Sequence, residues 1–113
     1  MTINLKLLDN LESSVIAHGN TKKYVFLDNS QLINNLTQIA YASFNPGESC
    51  ELHEHPTMFE YFFFISGTGI YTIDEIEYKI SSNTFLEIPP KSIHKLTNNG
   101  LVDLKFVYWG IAI

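Results

Sequence analysis

The chain contains no arginine, one cysteine and no basic run longer than Lys22-Lys23. Without a guanidinium the monomer has no bidentate clamp for a carboxylate or phosphate, which disfavours substrates that depend on one. Seven lysines against twelve acidic residues leave a net charge of -5, which repels a phosphate backbone and argues against nucleic acid as a partner. Cys50 alone cannot form an intramolecular disulfide, as suits a reducing compartment. The opening "MTINLKLLDNLESS" lacks a basic segment followed by an apolar core. The densest apolar stretch, Met58 to Ile65, is interrupted by Glu60 and too short to span a bilayer. These absences predict a cytoplasmic protein without membrane association.

What is present is an ordinary globular composition, 45% hydrophobic and 17% charged, in 113 residues with no repeat, linker or low-complexity segment. One domain over 1–113 is expected. Eight Phe and six Tyr suit strands, and turn signals recur at the close spacing of an all-β sandwich or barrel. The pattern predicts strands at Tyr24–Asp28, Leu36–Phe44, Cys50–His55, Phe59–Ser66, Ile70–Ile73, Ile76–Ile80, Thr84–Ile88, His94–Thr97 and Val102–Ile111. Residues 1–23 read as an N-terminal arm, either a short helix or an extended segment. Two strands, "FEYFFFIS" and "FVYWGIAI", are apolar on both faces. Since large exposed apolar patches are rare on monomers, these strands predict a homodimer.

Chemistry concentrates in "GESCELHEHPTMFEYFFFISG". A carboxylate at Glu60, within so apolar a run, needs a hydrogen-bond partner, a proton or a metal ion. His53 and His55 stand two apart, so on a strand their imidazoles share a face. Pro56-Thr57 turns the chain, and Glu60 on the following strand can approach both rings. His94 is a further candidate ligand, after the rigid "PPKS" turn. Taken singly, each histidine reads as a packed or hydrogen-bonded residue, and so does His18. Together, three imidazoles and a buried acid point to one divalent first-row metal ion: Fe, Mn, Ni, Co or Zn. Four ligands on a six-coordinate ion leave two adjacent positions open, which distinguishes the site from a closed structural one. Tyr41, Tyr71, Tyr78, Tyr108 and Glu87 are candidates to contact a small-molecule ligand, with aromatic packing as the plainer role for the tyrosines. Cys50, three residues before His53, has the opposite parity and is expected to point away from the metal.

At these residues the sequence resembles the cupin superfamily. The first motif, G-x5-H-x-H-x4-E-x6-G, is matched at Gly47, His53, His55, Glu60 and Gly67. The second, G-x5-P-x-G-x2-H-x3-N, is matched at Pro89, His94 and Asn98, with Asn83 and Lys91 standing where glycines are usual. Asn83 is a mild departure, while Lys91 suggests a different turn at "PPKS". The resemblance implies a double-stranded β-helix, or jelly roll, with 47–98 as its motif-bearing core. It also implies a divalent metal held by His53, His55, Glu60 and His94 inside the barrel mouth. Similar cupins include dioxygenases, decarboxylases, isomerases, epimerases and lyases, and also non-catalytic binders. The expected function is therefore a metal-dependent enzyme acting on a small oxygen-rich metabolite, such as a sugar derivative or hydroxy/keto compound. The alternative is a non-catalytic small-molecule-binding or sensor protein.

Overall fold

The computed structural model describes residues 3–30 and 34–113. Two positions of the expected N-terminal arm, 1 and 2, lie outside the described residues. Among the described residues, nine strands run in chain order: β1 Ser14–Val15, β2 Lys22–Leu27, β3 Leu36–Phe44, β4 Met58–Ser66, β5 Gly69–Ile73, β6 Ile76–Ile80, β7 Thr84–Ile88, β8 His94–Thr97 and β9 Leu104–Ala112. The helical content among the described residues is one 3-10 turn, Leu8–Asn10. No helix among them is long and apolar enough to cross a membrane.

Period-two alternation dictates which side chains meet. Within the six-stranded antiparallel sheet, ordered β1-β2-β3-β9-β4-β7, Phe62 lies opposite Tyr108, Phe64 opposite Phe106, and Ala40 opposite Tyr108. All of these side chains are buried on the inner face. The intervening residues Tyr61, Phe63, Val107 and Trp109 point outward. A three-stranded sheet, β6-β5-β8, faces this interior and contributes Tyr71, Ile80 and Leu96 to the core. The fold is all-β, as expected of a double-stranded β-helix.

Turn chemistry holds the layers in register. Gly67 has φ +91, and a Cβ there would collide with the Asp103 carbonyl oxygen, so the crossing can accept no side chain. Asn83 (φ 65) and Lys91 (φ 69) both adopt the left-handed conformation. The lysine accepts the backbone geometry a glycine would take, and its N–H donates to the His55 carbonyl at 3.0 Å.

One expectation needs correction. Residues 50–55 do not form a strand: they run as an irregular segment with isolated bridges at Ser49–Thr97 and His53–His94. The arm, read as a short helix or an extended segment, is largely irregular among the described residues, with the 3-10 turn and β1, which pairs with β2 at the sheet edge (Ser14 opposite Lys23), leaving the outer faces of β4 and β9 uncovered by that pairing.

Candidate metal centre

Glu60 is delivered by β4, between the inward-facing Phe62 and the mouth of the barrel, and is only 8% exposed. His94 opens β8 in the opposing sheet and is 1% exposed. The irregular segment carrying His53 and His55 is tied to β8 by a reciprocal backbone pair. His53 N–H donates to the His94 carbonyl at 3.0 Å and His94 N–H to the His53 carbonyl at 2.8 Å. One potential ligand atom from each of His53, His55, Glu60 and His94 falls within 4.8 Å of all the others. The ring centroids of His53 lie 5.0 Å from His55 and 4.2 Å from His94.

Tautomers decide what the cluster can hold. His94 Nδ1–H donates to the Ser92 carbonyl at 2.7 Å, and His53 Nδ1–H to the Glu51 carbonyl at 2.6 Å, because a carbonyl oxygen can only accept. Each neutral ring therefore presents an Nε2 lone pair. His94 Nε2 sits 2.9 Å from Glu60 Oε1, and His55 Nε2 sits 3.2 Å from the same oxygen. With the His94 proton held on Nδ1, its Nε2 and Glu60 Oε1 are two acceptors in contact, which repel unless a cation, either a proton or a metal ion, lies between them. Backbone carbonyls that fix the second ring nitrogen are what metal-bound imidazoles commonly use to hold their orientation. The donor set and its supports fit a divalent ion.

The electrostatics agree. Burial depresses the His53 pKa to about 4, with His94 and His18 adding to the effect, so this ring is a neutral donor at neutral pH. Its hydrogen bond with Glu60 raises the His55 pKa. For Glu60, burial pushes the carboxyl upward, but its interactions with the His55 and His94 rings together outweigh that and hold the pKa at about 2. The acid is ionised, with two rings positioned to share its charge.

Beside the cluster lies a cavity of about 380 Å³, walled on its apolar side by Ile16, Phe44, Phe62, Leu96 and Phe106. Tyr71 and Tyr108 line it too, and burial raises both phenol pKa values, that of Tyr71 well above the usual range. Tyr41 and Glu87 do not line it. Tyr41 pairs with Val107 and Glu87 with Tyr61, both on the outer face. Tyr78 is 44% exposed on β6. Cys50, expected to point away, lines the cavity and accepts a hydrogen bond from Leu96 N–H at 3.3 Å. Parity failed there because residues 50–55 are not a regular strand.

Sequence reasoning gave His18 no role at the site. It stacks on His53 at 4.1 Å with planes 17° apart and lines the cavity, delivered by the arm. Lys23 and Gln38 were likewise unforeseen, although their parity with the small residues of β3 marks them as inward-facing.

A cupin domain model matches residues 40–110. An uncharacterized protein of Methanocaldococcus jannaschii is 34% identical over 61 residues, 54% of this chain and 49% of that protein. The alginate biosynthesis protein AlgA of Pseudomonas putida is 31% identical over 70 residues, 62% of this chain but 14% of AlgA. The chain thus matches about half of the first relative and a small part of the second. Among solved structures, a predicted oxalate decarboxylase from Thermotoga maritima superimposes with a TM-score of 0.88 at 20% identity, covering 96% of this chain and 99% of that one. With the family model spanning more than half of its residues, and the histidine–glutamate cluster seated in a jelly-roll barrel, this chain belongs to the cupin domain family.

Proposed function

We propose that the chain is a metal-dependent enzyme that binds one divalent ion through His53, His55, Glu60 and His94 and acts on a small oxygen-bearing metabolite in the adjoining cavity. The observation that carries this reading is the gathering of a ligand atom from each of His53, His55, Glu60 and His94 within 4.8 Å, with His94 Nε2 against Glu60 Oε1 at 2.9 Å, beside a chamber large enough for a small molecule. When bound, the ion would supply Lewis-acid polarisation of a carbonyl or enediolate, or activation of water or dioxygen. The chain itself orients the donors through Glu51 and Ser92, keeps His53 neutral, and excludes water with the aromatic floor. Tyr71 and Tyr108 are positioned to donate hydrogen bonds to a bound molecule.

A second reading, a non-catalytic small-molecule binder, is favoured by one observation. Glu87 faces outward, and the two phenols on the cavity are made poorer proton acceptors at neutral pH by their raised pKa values. Metal analysis of untagged protein, followed by reconstitution with Fe, Mn, Ni, Co and Zn and an oxygen-uptake and substrate screen, separates the two. Turnover that depends on one reconstituted metal supports the enzyme; ligand binding without turnover supports the binder; no metal uptake overturns the shared premise.

We also propose a homodimer through the outer face of β4, β7 and β9. Phe63 (40% exposed), Ile65 (44%) and Phe85 (57%) surround a Tyr61–Trp109 stack there, an apolar surface that a monomer rarely leaves in water.

A further inference from the structure

On the inner face of the large sheet, besides Glu60, stands a group of polar side chains that takes no part in the metal centre. Lys23 on β2 lies opposite Ala42, which is fully buried, so the lysine side chain leaves the strand on the inner side. The bulge in β3 between Leu36 and Ile39 brings both Thr37 and Gln38 to the cavity. Lys23 Nζ donates to Gln38 Oε1 at 3.1 Å, and Tyr108 lines the same cavity. A phenol hydroxyl can donate to a ligand's oxygen.

No ion pair reaches Lys23 among the described residues. Burial lowers its pKa, and no neighbouring charge opposes that shift. A half-buried ammonium whose one hydrogen-bond partner is a neutral amide lacks a counter-charge. In a chain with seven lysines and twelve acidic residues, the missing partner is not a shortage of carboxylates. Two carboxylates, Asp28 and Glu60, line the same cavity, and neither forms an ion pair with the ammonium.

We propose that Lys23, braced by Gln38, and Tyr108 recognise the carboxylate of a small organic acid whose apolar body lies against Phe44, Phe62 and Phe106. The proposal rests on the metal-centre reading only for what the other end of the ligand meets. One lysine is a point charge that suits a monoanion, whereas a phosphate dianion would find no guanidinium here.

Calorimetric titration with benzoate and benzamide, which differ in charge and little in shape, tests this at about pH 8, where free imidazoles are neutral. Wild type, Lys23→Met, Lys23→Arg and Tyr108→Phe are each compared with chelator present and with zinc added. Chelated wild type binds benzoate about 10-fold or more tighter than benzamide, the scale of a hydrogen bond to a charged group. Lys23→Met abolishes that preference while keeping its benzamide affinity; Lys23→Arg retains the preference; Tyr108→Phe weakens both probes. Equal affinities in wild type, a preference that survives Lys23→Met, or binding of neither probe at millimolar concentration overturns the proposal. A preference seen only with zinc and independent of Lys23 makes the carboxylate a metal ligand, so this inference fails and the metal centre stands. A Lys23-dependent preference in protein that takes up no zinc has the reverse meaning.

Discussion

The two faces of β4 are nearly alike in composition and opposite in fate. Inward, Glu60, Phe62 and Phe64 are 8%, 4% and 0% exposed; outward, Phe63 and Ile65 are 40% and 44% exposed. Aromatic content therefore says little about burial, and position in the two-residue period says nearly everything. The inner face pairs a charged cluster with a dry floor, which lets Glu60 act strongly on its neighbours. The outer face has the surface chemistry of a contact and no charge cluster.

The largest expected effect breaks the inner face. Glu60→Ala removes the atom on which both His55 and His94 converge, and metal occupancy after reconstitution should fall by more than about 100-fold, beyond what losing a supporting residue costs. Metal analysis of dialysed protein checks it; occupancy like that of wild type would show the ligands to be misassigned. Next in size, Phe64→Ala should destabilise by about 3–5 kcal/mol, whereas Phe63→Ala should cost less than about 1 kcal/mol in the monomer, both read from denaturant midpoints. Equal costs would erase the distinction between the faces.

Outward, Phe85→Lys should shift the assembly from a dimer to the 12.9 kDa monomer in light scattering, leaving metal occupancy unchanged. A wild type already monomeric at high micromolar concentration would refute the interface. The smallest effect concerns the turn beneath His55. Lys91→Gly should stabilise by about 1 kcal/mol, because the left-handed conformation costs glycine nothing. A loss of stability would mean that the lysine side chain contributes something its backbone does not.

Much of this was legible in the sequence. Leu36–Phe44, Ile76–Ile80, Thr84–Ile88 and His94–Thr97 form strands with the bounds their alternation and flanking turn residues implied. Local pattern suffices where a strand is hydrogen-bonded along its length. Residues 50–55 failed that condition: their apolar and polar residues alternate, but they are held by isolated bridges and by the histidine backbone pair, so Cys50 turned inward. Tyr41 and Glu87 were nominated by residue type alone, and a phenol or carboxylate on a two-faced strand has no local signal for which face it takes. His18 was unreadable because its place is set by stacking on a residue 35 positions later, 4.1 Å away in space.

Acid should act on the cluster through identifiable groups. Without metal, His55 has a raised pKa, so its stabilising contribution is full below the ordinary histidine value of about 6.5 and is lost as pH rises through the raised one. His53 runs the other way. Its pKa near 4 in the fold means that the unfolded chain takes up the proton first, and stability falls as pH drops from about 6.5 towards 4. Glu60, held near 2, contributes stability above the ordinary carboxylate value that is lost as pH falls through the depressed one. Metal requires the imidazoles neutral, so protons compete with it directly.

The most direct measurement of the central claim, that a cation joins these four side chains, is the melting temperature of reconstituted protein with and without chelator at about pH 7.5 and about pH 5. The metal-bound protein should melt higher at the upper pH, with the gap closing at the lower as the histidines compete for protons. A melting temperature that ignores chelator at both pH values would show His53, His55, Glu60 and His94 to be a hydrogen-bonded network holding a proton, with no metal site.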